Sequence, residues 1–151
     1  MKIAFGCDHA GVELKKELIN YIISLNHEYE DFGTYDEDSV DYPDFGIKVA
    51  KRVANGEFEC GVLICATGIG MSITVNKVAG IRAALCHNTM IVKLSREHND
   101  ANILVLGAKV VDTKLAKEIL KIFLETDFSN EERHIRRLNK IKELEQIGIE
   151  E

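Results

Sequence analysis

The chain alternates short apolar runs with longer stretches in which apolar residues recur every three or four positions. Ile3-Ala4-Phe5 reads as a short buried strand. Val12, Leu14, Leu18, Ile22 and Leu25 then recur near helical spacing, with lysines and glutamates between them, and predict an amphipathic helix. Glu28 to Phe32 alternates and fits an edge strand, and the acidic stretch from Gly33 to Pro43 predicts a loop. Phe45, Val49 and Val53 mark a second helix that ends near Asn55-Gly56. Gly61-Val62-Leu63-Ile64-Cys65 is almost continuously apolar, the pattern of a central strand covered on both faces. A glycine-containing turn then leads into a helix from about Gly70 to Val78. Ile81 to Cys86 reads as a strand, Thr89 to Arg96 as a helix, and Ile103 to Leu106 as a strand ended by Gly107. Thr113 to Glu125 is a helix. A last, charged helix over about 130–146 carries Ile135, Leu138, Ile141 and Leu144 as its apolar stripe.

Strands alternating with helices predict an α/β fold, a parallel sheet of about five strands with helices on both faces and right-handed crossovers. In such folds ligands sit at the carboxyl ends of the strands, where strand order reverses. The 151 residues fit a single domain, 1–151, with 46% hydrophobic and 29% charged residues. A net charge of −6 argues against nucleic acid as partner, yet leaves room for a small phosphate held by two or three cations. No apolar run approaches the ~20 residues of a membrane span, and Asp8-His9 interrupts the N-terminal segment too early for a signal peptide. Cys7, Cys60, Cys65 and Cys86 form no Cys-x-x-Cys pair, which points to reduced thiols in a cytoplasmic protein and to no zinc site.

Two segments follow strands and face one crevice if those strands are neighbours: Gly6-Cys7-Asp8-His9-Ala10-Gly11 and Cys65-Ala66-Thr67-Gly68-Ile69-Gly70. Together they offer a thiol, a hydroxyl, an imidazole and a carboxylate. The second opens a helix, where successive N–H groups and the helix dipole favour an anion and lower the pKa of a thiol. The alternative for Cys65 is a small core residue at a strand end, and for Gly68 and Gly70 a mere tight turn. Neither phosphate-loop nor dinucleotide fingerprint is matched, which counts against nucleotide chemistry. Arg133 and Arg137 lie four apart on one face of the last helix, suited to a phosphate or to a solvated salt-bridge face. His98, at the end of a helix, could merely complement its dipole. His27, His87 and His134 lack metal-type spacing and read as structural or surface residues.

These segments, with Ser39-Val40-Asp41-Tyr42-Pro43-Asp44, Met71-Ser72, Asn76-Lys77, Gly80-Ile81-Arg82-Ala83 and the run from Ser95 to Asn102, resemble the B type of ribose-5-phosphate isomerase. That family also holds galactose-6-phosphate and allose-6-phosphate isomerases. The ordered set spans residues 3 to 137. The resemblance implies a Rossmann-like three-layer sandwich and an aldose–ketose isomerase that uses neither metal nor cofactor. It assigns proton transfer between C2 and C1 to Cys65, through a cis-enediolate. Ring opening falls to Thr67 with Asp8 nearby and to His98 as acid/base. The amides from Ala66 through Gly68 and Ile69 to Gly70 hold the enediolate oxygens. His9, Arg133 and Arg137 bind the phosphate, and Tyr42 and Asn99 line the pocket. The resemblance further implies a homodimer, or a dimer of dimers, whose pocket takes His98, Asn99 and the arginines from the partner chain. Ala66 departs from the glycine usual in the family. A methyl group at positive φ is costly, so Ala66 is predicted at negative φ, its N–H toward the substrate and its methyl away from the pocket.

The complete residue set on one chain favours ribose 5-phosphate, because galactose-6-phosphate isomerase is built from two related subunits. Allose 6-phosphate stays open, since pocket length is not legible in sequence. A non-catalytic sugar-phosphate sensor would keep the arginines without needing Cys65-x-Thr67. A thiol-redox protein would need a resolving partner for Cys65, and the sequence offers none.

Overall fold

A computed structural model describes the backbone of residues 1–150 and side chains as far as Ile147. Glu151, the last residue of the expected domain, lies outside the described residues. Five strands, β1 (Lys2–Cys7), β2 (Glu28–Asp31), β3 (Cys60–Cys65), β4 (Ala83–Leu85) and β5 (Ile103–Gly107), pair in parallel in the order β2-β1-β3-β5-β4. The helices are α1 (Val12–Ser24), α2 (Tyr42–Ala54), α3 (Ile69–Val75), α4 (Thr89–Glu97), α5 (Thr113–Glu125) and α6 (Glu132–Glu150). The chain lays β2 outside β1 and then crosses back to add β3 on β1's other side. The β1–β3 boundary is therefore the point where strand order reverses.

The period-two alternation of the strands sorts the core into two layers. Ile3, Phe5, Cys7, Val62, Ile64, Leu104 and Leu106 pack with α1, α4 and α5. Ala4, Leu63, Cys65, Ile103 and Val105 pack on the opposite face with α2 and α3. This is the parallel α/β sheet with helices on both faces that the pattern predicts, in the Rossmann-like three-layer form that the resemblance implies. Among the described residues no helix is long and apolar enough to cross a membrane.

Four local differences from the sequence reading have physical causes. The helix expected to reach Val78 stops at Val75: Lys77 N–H and Val78 N–H turn back to the carbonyls of Thr74 and Val75. β4 is shorter than Ile81–Cys86, because side chains intercept its first amides. Asn102 Oδ1 accepts from Arg82 N–H at 2.8 Å, and Asn76 Oδ1 from Ala83 N–H at 2.9 Å. The last helix spans Glu132–Glu150 and not 130–146, and its apolar stripe is uncovered: Ile141 is 47% and Leu144 66% exposed. Finally Lys15, read as a polar-face residue, is only 1% exposed. Its ammonium donates to Asp31 Oδ1 at 2.7 Å and to the Thr34 carbonyl. It pins the segment after β2 against the end of β1, where a buried cation is tolerable only because both partners are present.

Candidate active site

The carboxyl ends of β1 and β3 bring Asp8, His9, Cys65 and Thr67 to one rim, as the neighbouring-strand reading requires. Asp8 N–H donates to the Ile64 carbonyl at 3.1 Å, so the two loops are tied where the strands end. Asp8 is buried, and its Oδ1 accepts from Ala10 N–H at 2.9 Å, capping the 3₁₀ turn His9–Gly11. His9 Nδ1 accepts from Val40 N–H at 3.3 Å, which leaves its Nε2 for another partner. Lys109, which the motif reading passed over, follows β5 at this end; its N–H donates to the Ala66 carbonyl at 2.9 Å. Its position just past a strand's carboxyl end was the available signal.

Cys65 ends β3, 4% exposed, and its Sγ accepts from Gly68 N–H at 3.2 Å. Burial pushes Cys7 up to about 11, Cys60 to about 12 and Cys86 to about 11, so at neutral pH they are protonated core side chains. The loop turns at Gly68, φ 82°, where a Cβ would lie 3.2 Å from the Leu106 carbonyl carbon and against Leu85. Ala66 is outside the positive-φ set, which among non-glycine residues is Asn26, Asp100 and Asn130. Ile69 N–H donates to Thr67 Oγ1 at 3.2 Å. Of the loop amides, those of Gly68 and Ile69 are thus engaged. Gly70 N–H, in the first turn of α3, has no intrahelical acceptor. With seven residues, α3 contributes little dipole, so any anion must be held by individual N–H groups.

Tyr42, the first residue of α2, lays its ring on the start of α3: a Cβ at Gly70 would stand 2.7 Å from Tyr42 Cε2. Gly70→Ala should keep the helix, since alanine favours it, yet displace the phenol from the rim. The expected result is an unchanged circular-dichroism spectrum with a severalfold higher KM. An unchanged KM would mean that Tyr42 does not touch substrate.

The remaining candidates are elsewhere on the chain. His98 caps the C-terminus of α4, with Asn99 beside it, and α4 leads into the start of β5. The register Gly61↔Ile103 and Cys65↔Gly107 puts that turn at the amino end of the sheet. About 15 Å of strand therefore separates His98 and Asn99 from Cys65. Arg133 and Arg137 lie on the first turns of α6, on the His98 side: the His134 ring stacks on His98 with centroids 4.3 Å apart. Arg133 Nε also meets Glu131 Oε2 at 3.1 Å. The candidate residues thus form two groups at opposite ends of one sheet.

A family model described as Ribose/Galactose Isomerase matches residues 3–141. The chain belongs to this family. It is 44% identical over 145 residues to ribose-5-phosphate isomerase B of Escherichia coli, covering 96% of this chain and 97% of that protein. The structure of ribose-5-phosphate isomerase B from Clostridium thermocellum matches with a TM-score of 0.95 at 50% identity, covering 97% of this chain and 98% of that one. A galactose-6-phosphate isomerase subunit of Clostridium acetobutylicum is 38% identical over 128 residues, 85% of this chain and 74% of that protein.

Proposed function

We propose that the chain interconverts ribose 5-phosphate and ribulose 5-phosphate. The observation that carries this reading is Cys65 Sγ at the strand-order switch, with Gly68 N–H at 3.2 Å and further loop amides beside it. Moving a proton next to a carbonyl needs a base in reach and donors where the oxyanion develops. The Cys65 thiolate takes the C2 proton of the open-chain aldose and returns it to C1, while the hydroxyl proton passes from O2 to O1. Ala66 and Gly70 N–H are the donors left for the enediolate oxygens. Thr67, with Asp8 nearby, and His98 serve ring opening, and Tyr42 and Asn99 line the pocket. The chemistry asks for neither metal nor cofactor. The fold acts as one domain, and its unpaired thiols suit the reducing cytoplasm.

The active unit is a homodimer, alone or paired into a dimer of dimers. Two observations support this. His98, Asn99, Arg133 and Arg137 stand at the end of the sheet away from Cys65, where a second copy would supply them to its partner's pocket. A groove of about 850 Å³ also runs between the turn after α3, β4 and α6; Ile81, Leu138, Ile141 and Leu144 give it an apolar floor rimmed by Lys77, Arg82 and Glu145, and a largely apolar surface of this kind suits a neighbouring chain.

His9 from one chain and Arg133 and Arg137 from the other would hold the phosphate, whose binding energy orients the reacting carbons. Arg133→Ala and Arg137→Ala should each weaken sugar-phosphate binding by about 1.5–3 kcal/mol, the range for charged hydrogen bonds. Arg136→Ala, on another helix face, should do much less. Equal losses for ribose 5-phosphate and free ribose would make these arginines structural.

A six-carbon sugar phosphate is the second reading, favoured by the identity to the galactose-6-phosphate isomerase subunit. A coupled assay without added metal, comparing ribose 5-phosphate, allose 6-phosphate and galactose 6-phosphate, separates the two. The largest kcat/KM should be for ribose 5-phosphate. Turnover of only the six-carbon substrates would overturn the main reading, and turnover of none would favour a sensor.

A further inference from the structure

His134 is the one fully buried side chain among the described residues of α6, 5% exposed on a helix whose other side chains are exposed or, at Leu138 and Glu145, half-buried. Its ring lies face to face with His98, centroids 4.3 Å apart and planes 15° from parallel. Its nitrogens do not account for the burial. Nε2 has no hydrogen-bond partner, and Glu131 Oε2 stands 3.9 Å away, beyond bonding reach. A buried nitrogen left unpaired is a cost that ordinary packing avoids.

The contact is built from both sides. Ser129 N–H donates to the Glu97 carbonyl at 3.1 Å, and Arg96 Nε to the Thr126 carbonyl at 3.0 Å. These bonds strap the linker before α6 to the end of α4 and bring His134 over His98. On the other side, Asp100 sits at φ 45° and receives Arg96 Nη1 at 2.9 Å and Arg82 Nη2 at 3.4 Å. Arg82 Nε also donates to the carbonyls of Asn99 and Asp100 at 3.1 and 3.0 Å. The backbone of the His98–Asn99 turn is thus fixed, and the stack is what fixes the imidazole plane.

We propose that His134 is a positioning residue for His98: its ring is a rigid platform that sets the direction in which His98 presents its nitrogens to the sugar held by the neighbouring copy. This rests on the reading of His98 as the ring-opening acid/base. The charged or titratable groups facing His134 are His98 from α4, Glu131 from the linker, and Arg133 and Arg137 from α6. Burial first, then the positive neighbours, hold its imidazole below the usual histidine range. An imidazole ordered before substrate arrives need not be ordered in the transition state.

The test compares His134→Ala, which removes the platform, with His134→Phe, which keeps a stacking face without titrating. The alanine variant should lose about tenfold or more in kcat on ribose 5-phosphate, with KM changed by less than about twofold. Phenylalanine should restore most of that loss. In substrate-free protein with labelled histidine, NMR couplings should show one His98 side-chain rotamer in the wild type and the phenylalanine variant, and averaging in the alanine variant. A raised KM at unchanged kcat would place His134 in the phosphate grip and overturn the proposal. Equal kcat losses in both variants, or an unaltered His98 rotamer in the alanine variant, would overturn it too. If the alanine protein does not fold, the phenylalanine variant decides alone: near wild-type kcat upholds the platform, a tenfold loss removes it. A wild-type protein that isomerises no sugar phosphate would sink the functional reading instead, and the His98 rotamer would still decide this one.

Discussion

Cys65→Ala is expected to lower isomerase turnover by about 10³-fold or more, within the range for loss of a positioned acid–base group. The fold should survive. The side chain ends a strand whose neighbours on β1 and β5 are unchanged, and only Gly68 N–H loses an acceptor. Cys65→Ser is the sharper control. Its hydroxyl can still accept from Gly68 but is far too weak a base at neutral pH, so it should be nearly as inactive with a better-preserved loop. Thermal denaturation beside the kinetics separates damage to the fold from loss of chemistry. Near wild-type turnover in either variant would mean that another group moves the proton.

The second large effect is a recovery. Cys65→Ala and His98→Ala proteins should each be inactive alone, since each damages every pocket. When the two are mixed and allowed to exchange subunits, half the dimers become mixed pairs, each with one pocket built from two intact halves. Activity should rise from background to about a quarter of the wild-type level per chain, as two-fold symmetry requires. No recovery after demonstrated exchange, or a fully active monomer in sedimentation at assay concentration, would show that one chain closes its own pocket.

Much of the sheet was legible because β1, β3 and β5 are buried on both faces and so are written as unbroken apolar runs. α5 was legible to its ends, with Asp112 Oδ1 capping Leu115 N–H at 2.8 Å. β4 was overdrawn because the side chains that shorten it, Asn76 and Asn102, come from either side of it in sequence. Lys15 could have been read as buried: it stands three, four and seven residues from Val12 or Leu18, Ile19 and Ile22, in the middle of the apolar stripe of α1. What hid it was the habit of assigning lysine to water, and its partner Asp31 lies across the next strand. The thiol, hydroxyl and carboxylate were legible because strand ends collect chemistry. The stack of His134 on His98 was not, since nothing local in either helix records that the linker is strapped to α4.

The division of the site between the two ends of the sheet has a consequence for thermodynamics. If one sugar phosphate must touch two chains, substrate affinity and subunit affinity are a single linked quantity. Substrate then draws dilute chains together by mass action, and chains at high concentration bind it more tightly than chains at low concentration. Specific activity would fall on dilution and return on raising the substrate, with a lag set by association and not by chemistry. Any surface change that loosens the apolar groove under α6, however far from Cys65, would then read out as a weaker KM.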